Sequence, residues 1–175
     1  QALRKILGNH VEQKGSLVHP NYLRFDFSHF SKVDTEQLQE IEDFVNARIQ
    51  EQIQLDEKRN IPYQQAIDEG AIALFGEKYG DAVRMIAFGH SKELCGGTHV
   101  SNTASLRLFT ITEETSVASG IRRIEALTDE KAIDHLKGKA SQFDQVVTRL
   151  QNPKDVVKAV EKLQDQQKKL SKEVE

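Results

Sequence analysis

The chain has 175 residues, of which 38% are hydrophobic and 29% are charged, and its net charge is −3. The length fits one domain with an appendage, and the composition indicates a soluble protein. The net charge excludes the strong overall positive charge of many nucleic-acid-binding proteins. No apolar run approaches the roughly 20 residues that a membrane-spanning helix needs. The single cysteine excludes an internal disulfide bond and favours a reducing compartment, so we expect a cytoplasmic protein with no membrane partner.

The first part of the chain alternates between helical and strand patterns. Apolar spacing over residues 1–8 predicts the end of a helix, and alternation over residues 23–27 predicts a half-buried strand. Asp34 and Gln37 form a capping-box pattern ahead of an amphipathic helix. Residues 63–69 predict a short helix that ends before a glycine.

Three later segments predict strands, at residues 83–88, 106–112 and 121–127. The first of them is expected to lead straight to the only cysteine. Strands with interspersed helices and few glycine-rich linkers are typical of an α+β fold, so we expect a largely antiparallel sheet with packed helices.

The pattern changes after about residue 128. Residues 133–150 and 156–174 each carry apolar side chains at alternating steps of three and four, which predicts two amphipathic helices. Between them, Asn152 is expected to cap the second helix and Pro153 to occupy its first position.

We therefore predict a domain over residues 1–128 and a helical arm over residues 129–175. The arm is expected to form an antiparallel hairpin or a coiled-coil arm, the alternative being a solvated linker. Amphipathic helices of this length depend on packing for their stability, so we expect self-association through the arm.

Cys95 and His99 form a Cys-x3-His motif. Thiolate and imidazole are preferred zinc ligands, and this spacing lets both reach one ion. A zinc site normally needs at least three protein ligands, and the motif supplies only two. Taken alone the motif is weak, since a lone cysteine usually packs as a small apolar residue.

Five stretches along the chain carry a resemblance to a known family. In chain order they are LGNHVEQKGSLV at residues 7–18, LRFDFSH at 23–29, ALFGEKYG at 73–80, LCGGTHV at 94–100 and GIRRIEA at 120–126. Together they resemble the editing domain of the alanyl-tRNA synthetases. Threonyl-tRNA synthetases and free-standing trans-editing proteins share its fold, the second additional domain.

The resemblance implies zinc-dependent hydrolysis of mischarged Ser-tRNA(Ala) and Gly-tRNA(Ala) at the tRNA 3′ end. It assigns catalytic roles to Gln13, Cys95 and His99, with Cys95 and His99 as metal ligands. It also places two further zinc ligands, a His-x3-His pair, just upstream of the stretch that matches residues 2–4. We therefore expect a fragment with an incomplete zinc site and weak or no activity; ATP and magnesium belong to an aminoacylation domain outside this chain.

The resemblance assigns substrate contacts to Gln13, Gly96, Gly97, Thr98 and Arg122. The Gln13 amide could orient the amino acid or the attacking water, or merely close a turn. The two glycines could present amides to an oxyanion or only permit the turn, and both interpretations stay open. Arg122 and Arg123 are adjacent on a strand and point to opposite faces, so we expect at most one to face the tRNA 3′ end or a phosphate and the other to pair with an acid.

The remaining polar candidates are expected to be structural. Asp26 is expected on a solvated strand face, with His29 closing the strand end. The other histidines are expected to be hydrogen-bonded or solvent-facing, namely His10, His19, His90 and His135. The alternatives to an editing fragment are a free-standing trans-editing deacylase and a non-catalytic binding or oligomerisation module.

Overall fold

The computed structural model describes residues 1–73 and 78–174. Residues 74–77, the centre of the stretch at 73–80 that contributes to the family resemblance, lie outside the described residues. The chain divides into two compact units, Gln1–Ile133 and Asp134–Glu175. The functional boundary predicted at residue 128 stays a prediction.

The elements alternate between helix and strand along the first unit. In chain order they are α1 (Ala2–Leu7), β1 (Gln13–His19), β2 (Tyr22–Ser28), α2 (Thr35–Gln50), β3 (Leu55–Pro62), α3 (Tyr63–Asp68), β4 (Ala82–Phe88), β5 (Ser91–Leu94), a 3-10 turn (Thr103–Leu106), β6 (Phe109–Ala118) and β7 (Ile121–Thr128). Two further helices follow, α4 (Asp129–Arg149) and α5 (Val156–Val174).

The strands form antiparallel sheets, which confirms the predicted α+β class. One sheet has the strand order β1-β2-β7-β6 and the other has the order β3-β4-β5. The sequence analysis expected one sheet. The second sheet forms because β3 to β5 pair with one another and pack with α3 around a separate apolar cluster that includes Met85 and Leu94.

The larger sheet packs against α1 and α2. Phe27 is the most buried large side chain of this core, at 0% exposed, and Ile41 and Ile49 cover it from α2. The predicted capping box is confirmed: the Gln37 amide N–H donates to Asp34 Oδ1 at 2.7 Å, and the Asp34 N–H donates to Gln37 Oε1 at 3.2 Å. The capping box sets the start of the helix that covers this sheet.

Two strand predictions need correction. β4 does not lead straight to the cysteine, because a turn at Gly89 reverses the chain into β5 first; Gly89 has φ +60°, which glycine adopts without strain. The strand predicted at 106–112 begins later, at Phe109. The Asn102 side chain accepts a hydrogen bond from the Ala104 amide at 2.7 Å and starts a 3-10 turn that occupies the first predicted residues.

The predicted arm helices are present, but their connection differs from the prediction. Asn152 ends α4: its φ is 55° and its amide donates to the Val147 carbonyl at 2.9 Å. Asp155 caps α5 instead, since its carboxylate accepts from the Lys158 amide at 3.1 Å. Pro153 therefore lies before α5 and not at its first position.

The apolar side chains of the arm remain accessible to solvent. Exposed fractions are 56% for Phe143, 52% for Leu163 and 62% for Leu170. The apolar stripes of α4 and α5 are therefore not buried within the part of the chain that the structure describes. Across residues 1–73 and 78–174, no helix combines the length and apolarity needed to cross a membrane.

Candidate metal centre

The ligand motif follows directly on β5. Leu94 ends that strand and is 2% exposed, which places its neighbours Glu93 and Cys95 on the opposite face. The chain then returns His99 to the same place. One donor atom each from Glu93, Cys95 and His99 all lie within 4.8 Å of one another. The sequence analysis missed Glu93, although an acidic residue two positions before a cysteine on a strand shares its face.

His99 has unused hydrogen-bonding capacity. Its side chain is only 17% exposed, and the Glu93 carboxylate lies 3.8 Å from its Nε2 atom, beyond hydrogen-bond length. Its Nδ1 atom is buried and has no hydrogen-bond partner among the described residues. A buried polar atom without a partner destabilises a fold, so this imidazole has hydrogen-bonding capacity that the described residues do not use.

The backbone of the motif is held by Arg84, which lies opposite Cys95 on β4. The Arg84 guanidinium donates to the Cys95 carbonyl at 3.2 Å and to the Gly97 carbonyl, and its Nε donates to Glu57 Oε1 at 2.5 Å. The sequence analysis missed both charged residues. A charged residue inside the apolar stretch 82–88 was a signal for Arg84, whereas Glu57 lies in a charged run that carries none.

The predicted substrate contacts Gly96, Gly97 and Thr98 are exposed beside these donors. Neither glycine has a positive φ. A Cβ atom at Gly96 would meet nothing within 4 Å, and one at Gly97 would lie 3.6 Å from Cys95 Sγ. The turn itself therefore does not require glycine, which leaves presentation of the amides, or space for a ligand, as the reason for two glycines here.

A cleft of about 310 Å³ adjoins the donor cluster and shares Glu93 with it. Gln13, at the start of β1, lines the cleft, and its Nε2 donates to Ser16 Oγ at 3.1 Å. The other lining residues are Gln1, Leu3, Arg4, Val11, Glu12, Phe25, Ile72, Ala73, Ser91 and Lys92. Gln13 thus lines a cleft that shares Glu93 with the donor cluster, whereas Cys95 and His99 are not among the residues that line it.

A family model described as the threonyl and alanyl tRNA synthetase second additional domain matches residues 83–125, from β4 into β7 and across the whole ligand motif. Residues 83–125 are therefore similar to this second additional domain.

Relatives extend the similarity to the whole chain. An alanine–tRNA ligase from Christiangramia forsetii is 58% identical over 100% of the chain and 20% of the relative. Those from Flavobacterium psychrophilum and Xanthomonas campestris are 57% and 48% identical, each over 99% of the chain and 20% of the relative. The chain therefore spans about one fifth of the length of these relatives and is homologous to one segment of them.

Arg122 and Arg123 lie on β7, and both are paired with acids. Arg122 binds Glu114 at 2.5 and 2.6 Å, and Arg123 binds Asp26 at 2.7 and 2.8 Å. The prediction that one of them would pair with an acid is confirmed, and the second pair was not expected. The solvated position predicted for Asp26 is wrong, since its side chain is 13% exposed. Arg123 lowers the pKa of Asp26 through these hydrogen bonds. A tRNA contact by Arg122 stays a prediction.

The domain also contains a pair of hydrogen-bonded histidines. His10 Nε2 lies 2.9 Å from His29 Nδ1, and Ser31 Oγ lies 3.1 Å from His29 Nε2. Burial lowers the pKa of His29, and the neighbouring His10 and Arg122 lower it further. The expectation for His10 is confirmed by this contact.

Two more histidines can be compared with their predictions. The expectation for His19 is confirmed, since its Nδ1 accepts from the Asn21 amide at 3.2 Å. His135 departs from its expected position, because it is half-buried and its Nε2 has no partner among the described residues.

Proposed function

We propose that this domain hydrolyses the ester bond of Ser-tRNA(Ala) and Gly-tRNA(Ala), and so removes amino acids wrongly attached to the tRNA. Three relatives that match the chain are named alanine–tRNA ligases. The attachment of alanine to a tRNA requires a second step that removes wrongly attached amino acids. Glycine is smaller than alanine and serine adds one hydroxyl group, and differences of this size give only about 10–200-fold discrimination in one binding site. A second, hydrolytic site supplies the missing accuracy.

The donor set fits a zinc ion. A thiolate, an imidazole and a carboxylate are all zinc ligand types, and one donor atom of each lies within 4.8 Å of the other two. Cys95 and His99 would hold the ion, with Glu93 within reach as a third ligand. Zinc at this position would supply Lewis-acid character beside the ester carbonyl.

Residues of the chain would orient the substrate and stabilise the oxyanion. Gln13 offers both an amide donor and an amide acceptor inside the cleft, which suits it to orient the α-amino group of the amino acid or the attacking water. The exposed amides of Gly96 and Gly97 are available to the oxygen that becomes negative as the ester opens. A cleft of about 310 Å³ is large enough for an aminoacyl group.

One observation carries the proposal: the donors of Glu93, Cys95 and His99 lie within 4.8 Å of one another, and Glu93 also lines the cleft that Gln13 lines. The test is deacylation of Ser-tRNA(Ala) by the chain alone and by a chimera in which the chain replaces the matching segment of the Christiangramia forsetii ligase. We expect slower hydrolysis by the chain alone, which supplies three donors.

In the chimera, Cys95→Ala should abolish hydrolysis and Gln13→Ala should reduce it by roughly 10- to 100-fold, as expected for a residue that positions a reacting group. Arg123→Lys, which changes an ion pair on β7, is the matched control and should keep the rate. Wild-type hydrolysis by the Cys95→Ala chimera would refute the proposal.

A second role is favoured by the exposed apolar stripes of α4 and α5. We propose that the arm binds a second copy of the chain, because packing of such stripes is the main source of stability for helices of this kind. Light scattering after size-exclusion chromatography tests this. We expect a dimer that Leu163→Glu dissociates, with Glu161→Lys as an exposed charge-changing control; a monomeric wild type excludes the role.

A further inference from the structure

We propose that Arg84 is a positioning residue of the metal centre, which holds the turn after β5 so that Cys95 stays within reach of His99. This inference rests on the proposed function, and it adds a residue that touches neither substrate nor metal. Its basis is the set of contacts that β4 makes with residues 95–97.

Arg84 binds this turn with both its backbone and its side chain. The Cys95 amide donates to the Arg84 carbonyl at 3.3 Å, which extends the β4–β5 ladder by one residue beyond the pair Met85 and Leu94. The guanidinium then donates to the carbonyl of Cys95, at 3.2 Å, and to that of Gly97. One planar group thus joins the two ends of the segment 95–97.

The turn has little else to hold it. Within the described residues, every hydrogen bond to the backbone of residues 95–97 comes from Arg84. Gly96 and Gly97 are exposed, and nothing lies within 4 Å of the position where Gly96 would carry a Cβ atom. Packing therefore restrains this segment weakly, and the guanidinium supplies most of its order.

Glu57 sets the orientation of that guanidinium. Its Oε1 accepts from Arg84 Nε at 2.5 Å and from Arg59 Nε at 2.5 Å, so one carboxylate oxygen serves two cations. The Arg84 and Glu57 side chains are 23% and 22% exposed, which limits competition from water. A lysine at position 84 would keep the charge, but a single ammonium lacks the planar fork that spans Glu57 and two carbonyls.

Two measurements on the 175-residue chain test the inference. Cobalt(II) titration, followed by the thiolate-to-cobalt absorption band, gives the metal affinity and reports the sulfur ligand directly. Alkylation by iodoacetamide gives the freedom of the turn without any metal, because Cys95 is the only cysteine in the chain.

For Arg84→Lys we expect cobalt affinity to fall by about 10- to 100-fold, as for other residues that orient a ligand, and alkylation to become several-fold faster. Glu57→Gln should shift both readouts in the same direction by less. The double variant should be no worse than Arg84→Lys, since both changes act through one guanidinium.

Arg123→Lys is the matched control, because Arg123 also makes a two-point contact with a carboxylate, is 25% exposed, and lies on β7 away from the turn. It should leave both readouts unchanged, and circular dichroism should show every variant folded. Wild-type affinity and alkylation in Arg84→Lys would overturn the positioning role alone.

Cys95→Ala separates this failure from that of the proposed function. If the cysteine variant binds cobalt with unchanged affinity, or if the wild-type chain binds none, the metal centre itself is wrong and Arg84 has no ligand to position. If the cysteine variant loses the band while Arg84→Lys keeps it at wild-type affinity, the metal centre stands and only the role of Arg84 is removed.

Discussion

The polar groups of β7 and those of the metal-ligand motif differ in how completely the chain satisfies them. On the sheet, Arg122 and Arg123 each meet a carboxylate through two hydrogen bonds. At the motif, His99 keeps a buried nitrogen without a partner among the described residues, and the Glu93 carboxylate lies 3.8 Å from its other ring nitrogen. Polar groups that are paired within the chain serve the fold, whereas buried groups left unpaired are available to a ligand.

This difference distinguishes structural residues from candidate ligands, which the family motifs alone did not. Arg122 and Cys95 both lie in stretches that resemble the editing domain, and both were assigned to the site on that basis. The structure shows the charge of Arg122 already matched by Glu114, whose side chain is 3% exposed, while Cys95 converges with two other donors. The comparison therefore predicts effects on metal binding at the motif and effects on stability at the sheet.

The largest expected effect is that of His99→Ala on metal binding. Cobalt affinity should fall at least about 100-fold, because a ligand is lost and even orienting residues contribute 10–100-fold. The metal-free chain should change in stability by less than about 1 kcal/mol, since the unpaired nitrogen leaves with the ring. Titration and urea unfolding measure the two quantities.

His19→Ala is the control for that experiment, because His19 makes only a local contact with the Asn21 amide. It should leave cobalt affinity unchanged. His99→Ala could instead lower the free energy of unfolding by several kcal/mol and leave cobalt affinity at the wild-type value. That result would show that His99 is a core residue and would contradict the distinction between the motif and the sheet.

Asp26→Asn should have the opposite effect, with a loss of stability and no loss of metal affinity. Asparagine cannot accept both hydrogen bonds from Arg123, so we expect a loss of about 2 kcal/mol in unfolding free energy, typical of hydrogen bonds between charged groups. Cobalt affinity should stay unchanged. Asp43→Asn is the control, since Asp43 is exposed on α2 and accepts a neutral hydrogen bond from Gln39 at 2.9 Å; a comparable loss there would mean that the ion pair with Arg123 is not the cause.

A smaller effect is expected from pH, through His29. Burial, His10 and Arg122 lower the pKa of His29 below its ordinary value of 6.5, and Glu114 opposes them. The imidazole of His29 therefore binds a proton more tightly in the unfolded chain than in the folded chain. The contribution of neutral His29 to the free energy of unfolding is complete above about pH 6.5 and is lost as pH falls through the lowered pKa.

The measurement is urea unfolding between pH 5 and 7. The wild type should become less stable as pH falls, and His29→Gln should flatten that dependence. His19→Gln should keep it, because His19 lies on an exposed part of β1. A His29→Gln chain with an undiminished pH dependence would assign the effect to other groups.

Elements with a strong periodic or capping signal could be predicted from the sequence. The helix α2 has both, in its Asp34 and Gln37 capping box and its apolar face, and β2 has a clear alternation. The strands β1, β3 and β5 were missed. β1 is mostly polar and exposed, β3 is mostly polar and half exposed, and β5 spans four residues, so their pairing is determined by partner strands and not by local pattern.

The candidate site was predictable only as far as the family motifs reach. Those motifs name Cys95, His99 and Gln13; the structure places the first two in a donor cluster with Glu93, and Glu93 also lines the cleft that Gln13 lines. Arg84 and Glu57 act through carbonyl groups and a guanidinium, so their roles depend on three-dimensional contacts between β3, β4 and the turn. No spacing in the sequence encodes such contacts.

The smallest expected effects are those of alanine at the two motif glycines. Neither glycine has a positive φ, so Gly96→Ala and Gly97→Ala should each change the unfolding free energy by less than about 0.5 kcal/mol. Cobalt affinity should be unchanged in Gly96→Ala, whose methyl group meets nothing within 4 Å. In Gly97→Ala it should fall by no more than about threefold, since the methyl group would lie 3.6 Å from Cys95 Sγ, an ordinary van der Waals contact. If either variant still slows deacylation of Ser-tRNA(Ala) by 10-fold or more in the chimera, the loss of rate comes from a lost contact with the substrate. The turn would then be a substrate contact. Full activity in both variants would remove the glycines from the site and leave the donor cluster and Gln13 to account for it.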